Sequence, residues 1–237
     1  MARSVPPPPA SSDGPGPRAG AILAAALLAV DGEEAVRRTL VEEGRRLHLP
    51  GETLDLSRFS AVHLLGAGKC APEMAAGAWS ALPIGPAGGV IVGPKGKAFS
   101  RSGIEYWPGG HPLPDEGSLA AGRAMFDYVT RRIDPADLVV FLLSGGASAL
   151  LALPRPGISL RDKVALTRRL LALGVPIEEV NAVRRELSRI KGGKLAAAVP
   201  GAALLTLILD DIPGGDPAAV GSGPTLPPPP GTPSARR

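Results

Sequence analysis

The sequence predicts an α/β fold: a three-layer α/β/α domain around a mostly parallel sheet. Three observations predict it. Apolar strand-like runs alternate with helical patterns, which is the order that crossover-connected parallel strands require. One run, Asp137-Leu-Val-Val-Phe-Leu-Leu143, is continuously apolar, as a strand covered on both faces must be. Several runs end in glycine-rich or acidic turns, and ligands of open parallel sheets bind outside the carboxyl ends of the strands.

The elements follow in order. Residues 1 to about 18 are rich in Pro, Gly and Ser, cannot bury apolar surface, and read as a disordered leader. From residue 20 to about 47 the pattern is helical, with Val36, Leu40 and Val41 on one side and Glu33, Arg37, Glu42 and Glu43 elsewhere. Residues 61–65 form a strand closed by Gly66-Ala-Gly-Lys-Cys-Ala71, and residues 72–80 a helix that tolerates Pro72 in its first turn. Residues 89–92 and 104–107 are further strands. Asp115 is the N-cap of a helix running to about residue 132. The strand at 137–143 ends at Ser144-Gly-Gly146, and helices over about 160–173 and 176–190 follow. The last strand, 202–209, ends at Asp210-Asp211. Residues 226–237 form a proline-rich tail.

Composition narrows the function. A chain of 237 residues suits one large domain with a full core, or two small ones. Aromatics are only 3%, so the core is built from Ala, Leu, Val and Ile, and base stacking on single-stranded nucleic acid is disfavoured. A net charge of +4 fits a small anionic ligand and is too weak for nucleic acid or a membrane surface. The single cysteine, Cys70, excludes an internal disulfide and suits a reducing, cytoplasmic setting. His48, His63 and His111 lie far apart without Cys partners, which argues against zinc. The apolar run 21–30 is too short to span a bilayer.

Four stretches carry chemistry. Residues 181–194 place Arg184, Arg185, Arg189, Lys191 and Lys194 against one acid, Glu186, and contain the pair Gly192-Gly193. Guanidinium forks, point charges and close-approaching backbone are what a phosphate needs; a solvated basic helix face is the alternative. Gly66-Ala-Gly-Lys-Cys-Ala71 fits a dinucleotide pattern between strand and helix, but the expected acid about 20 residues on is missing. The lysines of Gly93-Pro-Lys-Gly-Lys97 would instead have to hold the extra phosphate of NADP. The plainer alternative is a tight turn, against which Lys69 counts, because a lysine at a helix entrance opposes the helix dipole. No Walker A pattern is present, so a phosphotransferase here is not of the P-loop type.

Ser144-Gly-Gly-Ala-Ser148 is either an anion cradle or a simple turn, and lacks the G-x-S-x-G of a nucleophile elbow. Asp210-Asp211-Ile-Pro-Gly-Gly-Asp216 supplies oxygens suited to Mg²⁺ near phosphates, or only turn chemistry. His111-Pro-Leu-Pro-Asp115 reads as a rigid loop before a capped helix.

Six motifs then read together: Gly66-Ala-Gly-Lys69, Gly110-His-Pro-Leu-Pro-Asp-Glu-Gly-Ser118, Leu143-Ser-Gly-Gly-Ala-Ser-Ala-Leu150, Asn181-Ala-Val-Arg-Arg-Glu-Leu-Ser188, Lys191-Gly-Gly193 and Ser222-Gly-Pro-Thr225. In this order they resemble the N-terminal domain of the class II glycerate kinases, the glycerate 2-kinase family, over about residues 19–225. Some members are labelled hydroxypyruvate reductase. The resemblance implies a Rossmann-like domain that transfers the γ-phosphoryl of ATP to the 2-hydroxyl of D-glycerate with Mg²⁺. Its partners are then a nucleotide and glycerate, with no nucleic acid and no membrane.

The resemblance also assigns roles. The family's motif lysine falls on Lys69, which with Arg184 neutralises developing charge. Asp211 is then a metal ligand or the acceptor of the hydroxyl proton, and Asp216 a second metal ligand. Gly66, Gly68, Ser144, Gly145, Gly146, Ser148, Asn181, Lys191, Gly192 and Gly193 bind substrate or phosphate. Two departures stand out. The family commonly has Ser-Asp-Val and Gly-Asp-Asp where this chain has Asp210-Asp211-Ile212 and Gly215-Asp216. Members also carry a second, C-terminal domain, with the active site in the cleft between the two. The expectation is therefore a truncated kinase with weak or no turnover alone, or a homo-oligomer that replaces the second wall. The alternatives are an NADP-linked hydroxypyruvate reductase and a non-catalytic remnant.

Overall fold

The computed structural model describes residues 16–210 and 215–232, so most of the expected leader and the end of the expected tail lie outside the described residues. The first helix, α1 (Gly16–Ala29), is followed by α2 (Gly32–Thr39). Asp31 separates them: its carboxylate accepts the amide of Glu34 (2.9 Å) and caps a new helix. Beyond Thr39 the chain leaves the helical path expected to about residue 47. It forms an antiparallel meander of β1 (Val41–Glu43), β2 (Arg46–Leu49) and β3 (Glu52–Asp55). The turns dictate this. Gly44 adopts φ 65° between β1 and β2, and Pro50-Gly51, with Gly51 at φ 82°, meets the demands of a type II turn between β2 and β3. Val36 and Leu40 are buried as expected, but Val41 is exposed on β1.

The main sheet has five strands: β4 (Val62–Ala67), β5 (Gly88–Pro94), β6 (Ile104–Gly109), β7 (Leu138–Ser144) and β8 (Ala203–Leu209). Their order is β6-β5-β4-β7-β8, and every neighbouring pair is parallel. The chain builds outward from β4 in one direction, then returns to add β7 and β8 on the other side. The reversal falls between β4 and β7, the place where doubly wound sheets open a ligand crevice.

Helix α3 (Ala71–Ala81) joins β4 to β5, and α4 (Glu116–Arg131) joins β6 to β7. Between β7 and β8 lie α5 (Ala147–Leu150), α6 (Leu160–Ala172), α7 (Ile177–Glu186) and α8 (Lys194–Ala197). Alternate strand residues divide the core. Leu64, Ile91, Val140 and Leu142 pack against Met74, Ala75 and Ala78 of α3, backed by Val36, Leu40 and Leu47. Leu65, Val90, Val92, Phe141 and Leu143 pack against Ala121, Met125 and Val129 of α4. The three-layer architecture read from the sequence is the one observed.

At the start of the central strands the apolar layers are interrupted by a buried polar network. His63 Nδ1 lies 2.9 Å from the Tyr128 hydroxyl, and Nε2 lies 3.0 Å from Asp137 Oδ2. The amide of Asp134 also donates to Asp137 Oδ2, at 2.8 Å. Burial pushes the Tyr128 phenol up to about 12. Burial alone would raise the Asp137 carboxyl too, but the Asp134 amide and the His63 ring outweigh it and hold it below the usual range.

A depressed carboxylate stabilises the fold above its unfolded pKa, about 3.9, and that stabilisation is lost as pH falls through the folded value. Asp137→Asn should therefore lower the urea midpoint at about pH 7 and flatten its decline toward about pH 3. Urea midpoints across that range check this; parallel acid limbs in the two proteins would assign the dependence elsewhere.

Candidate functional site

The crevice begins where β4 and β7 run side by side, with Ala67 opposite Leu143. The next residue, Gly68, has φ 143°, and a Cβ there would run into the Ser144 hydroxyl and carbonyl. The Ser144 hydroxyl accepts the amide of Cys70 at 3.0 Å, and the amide of Lys69 donates to the Gly145 carbonyl at 2.9 Å. These bonds tie the two strand ends together and leave the Lys69 side chain exposed. Among the described residues its ammonium has neither an ion pair nor a hydrogen bond.

The Lys69 stem lies over Gly146, which adopts φ 84°. A Cβ on Gly146 would sit 2.9 Å from Lys69 Cγ and 3.2 Å from His111 Cδ2. Burial and the Lys69 charge both lower the His111 pKa, so the imidazole is neutral at pH 7. His111 was legible only as part of a rigid loop; its approach to Lys69 comes from tertiary packing. Asp115 is the N-cap expected of it: Oδ1 accepts the amides of Ser118 (2.9 Å) and Gly110 (3.0 Å). Lys95 pairs with Asp115 at 2.6 Å. Lys97 pairs with Glu73 at 2.6 Å and donates to the Lys69 carbonyl at 2.9 Å. Both lysines that the NADP reading needs are thus engaged within the protein.

The five cations of residues 181–194 separate into distinct tasks. Lys194 donates to the carbonyls of Arg185 (2.6 Å) and Ser188 (2.9 Å), closing the C-terminus of α7. The Arg189 guanidinium stands 4.3 Å from the centre of the Phe126 ring. Arg185 lies in the field of Asp216 and Glu186. Arg184 is half-buried, and its Nη1 donates to Asn181 Oδ1 at 3.3 Å. Lys191 is 2% exposed, and its ammonium donates to the Ser148 carbonyl and hydroxyl, both at 3.0 Å, and to the Gly221 carbonyl at 3.3 Å. The Ser148 and Ser222 hydroxyls are 3.0 Å apart. Ser222 takes φ 63°, a left-handed conformation uncommon outside glycine.

A sixth cation was not read from the sequence as functional. Lys163 on α6 is 3% exposed, and among the described residues its Nζ has no hydrogen-bond partner. Burial, and then the Arg184 charge, bring it down to about 8. Burial, Lys163 and Arg184 together bring Lys191 well below the ordinary lysine range. The available signal was positional: Leu160, Lys163 and Thr167 share one face of α6 at three- and four-residue spacing, so a lysine occupies an apolar-stripe position.

The predicted glycines divide as well. Gly66 is buried inside β4, and the Gly68 amide donates to the Val92 carbonyl. The amides of Gly192 and Gly193 donate to the carbonyls of Ser222 and Gly223. The amides of Gly68, Gly192 and Gly193 therefore hold loops together rather than facing a ligand. Gly145 and Gly146 are half-buried at the crevice, and no partner for their amides is present among the described residues. Asp211 lies outside the described residues. Asp216 is exposed and caps the 3-10 turn after it, with Oδ1 accepting the amide of Ala218 at 3.0 Å. Among the described residues there is no cluster of three metal-ligating side chains, and no helix long and apolar enough to cross a membrane.

Comparison with known proteins places this geometry. The family described as a domain of unknown function, DUF4147, matches residues 18–237. A protein of Agrobacterium vitis that bears the name hydroxypyruvate reductase is 45% identical over 69% of this chain and 37% of its own length. The D-glycerate 2-kinase of Thermotoga maritima is 38% identical over 74% of this chain and 42% of its own length. The crystal structure of glycerate kinase from Thermotoga maritima superposes with a TM-score of 0.75 at 35% identity, covering 87% of this chain and 47% of that one. The chain thus spans under half the length of the curated relatives it matches.

The crevice geometry makes a stability prediction. Gly146→Ala adds a Cβ at positive φ against the Lys69 stem, and should cost about 1–3 kcal/mol. Urea denaturation checks this, with an unchanged midpoint as the contrary result.

Proposed function

The chain belongs to the DUF4147 family, the N-terminal family of the glycerate kinases, and from that premise we propose that it carries the phosphate-handling half of a glycerate 2-kinase site. The observation that carries the reading is the exposed Lys69 ammonium at the switch point, beside the amides of Gly145 and Gly146. A cation and backbone donors at a strand carboxyl end are the equipment for holding a transferring phosphoryl group.

In this reading the 2-hydroxyl oxygen of D-glycerate attacks the γ-phosphorus of ATP. The new O–P bond forms as the bond to the departing ADP oxygen breaks, and the hydroxyl proton passes to a carboxylate, here Asp211. Lys69 faces the equatorial oxygens, where charge accumulates. The Ser144 hydroxyl fixes the α3 entrance and so the direction of Lys69. Lys191 anchors Ser148 and Ser222, and Arg184, oriented by Asn181, supplies a second positive edge.

The described carboxylates do not make a protein-only metal cage. A Mg²⁺ ion carried on nucleotide phosphates needs only one or two acids; Asp216 is proposed as one, and Asp211, outside the described residues, as the other. Bound there, the ion would neutralise charge on the phosphate oxygens. The single cysteine fits a reducing, cytoplasmic setting.

Lys69→Ala and Arg184→Ala should each reduce affinity for MgATP or glycerate, or ADP release where turnover is measurable, by about 100-fold, with the circular dichroism spectrum retained. Calorimetry and a coupled ADP-release assay with D-glycerate check this. Unchanged binding and turnover in Lys69→Ala would refute the assignment of the crevice.

A further inference from the structure

We propose that Lys163 joins Arg184 and Lys191 in an anion site for a phosphate-class dianion, which adds a further buried cation to the phosphate-handling half described above. Lys163 comes from α6, Arg184 from α7 and Lys191 from the loop after α7. The three lie close enough for each lysine to feel the Arg184 charge, and for Lys191 to feel Lys163. Like charges do not gather under burial without a reason.

Counter-charge is missing from the set. Lys163 is buried, and among the described residues its ammonium has no hydrogen-bond partner. The partners of Lys191 are two carbonyls and a hydroxyl, all neutral. Among the described residues no carboxylate pairs with any of the three. Asp162, the nearest acid in sequence to Lys163, bonds Ser159 instead, Glu186 pairs with Arg155, and Asp216 acts on Arg185. Arg184 is the half-buried member of the set, while both lysines are buried. One of its five N–H donors goes to Asn181, which leaves a fork edge for an oxyanion.

A tetrahedral dianion would give Lys163 its missing acceptor and supply two negative charges to three positive ones. Inorganic phosphate and the terminal phosphate of a nucleotide or phosphorylated hydroxy acid share this chemistry. The proposal rests on the kinase reading only for whose phosphate is held.

The test is calorimetry and thermal melting of the whole chain and of Lys163→Met, with inorganic phosphate, MgADP and 2-phosphoglycerate as separate ligands. Phosphate should raise the wild-type Tm, and Lys163→Met should weaken its binding by about tenfold or more. Without anion, the variant should melt higher than the wild type, because an unpartnered buried charge has been removed. The organic phosphate that loses affinity in parallel is the source. If inorganic phosphate binds as predicted but neither organic ligand binds, the pocket stands and the kinase reading falls. Equal phosphate binding in both proteins, or none to the wild type at about 10 mM, overturns the pocket.

Should Lys163→Met not fold, sulfate titration of the wild type decides, because sulfate keeps its double charge across the range. Lys163 loses its proton near 8 and Lys191 is held well below the ordinary lysine range, while Arg184 stays charged. Sulfate affinity should therefore fall from about pH 7 to about pH 9, and a flat profile would refute the pocket.

Discussion

Gly68 and Ser144 must share a space in which only one side chain fits. The hydroxyl of Ser144 fills it, and Gly68 contributes nothing but backbone. Because the hydroxyl also accepts the Cys70 amide, the entrance of α3 is set by the end of β7. The Lys69–Gly145 backbone bond adds a second tie between the same two loops. The direction of Lys69, its contact with Gly146 and its approach to His111 all follow from this packing. A sheet that wound in one direction only would have no such junction, because β4 and β7 are neighbours only where the strand order reverses.

The cations show how little a local count of charge says about role. Residues 181–194 look like one basic surface, yet Lys194 closes a helix end, Arg189 stacks on a ring and Arg185 faces acids. Only Arg184 and Lys191 turn inward, and they meet a lysine from another helix. Lys191 retains three oxygen partners, which makes its burial tolerable. Among the described residues Lys163 has none.

Much of the fold was legible because strand pattern and turn chemistry agreed. The apolar run at β7 and the Asp115 cap were both found where the sequence put them. The segment 40–47 was misread because Val36, Leu40 and Val41 continue a helical spacing, while the deciding signals were Gly44 and Pro50-Gly51. Lys69, Arg184, Lys191 and Ser148 were identifiable by residue type and by the ends of elements. Lys163 and His111 were not, since their surroundings are made by α7 and by the β4 loop. The glycines divide for a related reason: sequence shows that a backbone can approach closely, not which acceptor it meets, and the amides of Gly68, Gly192 and Gly193 meet carbonyls of neighbouring loops.

The buried His63–Tyr128–Asp137 network and the Lys69 crevice occupy opposite ends of the same strand. Gly68 lies five steps along the chain from His63, roughly 16 Å at the usual rise. Among the described residues no hydrogen bond links the two neighbourhoods, and groups so far apart contribute nearly additively to folding. Variation at the base can thus change resilience to acid or heat without redrawing the chemistry above it. The strand that separates the two ends also insulates them, so sequence divergence in this domain can proceed at two unequal speeds.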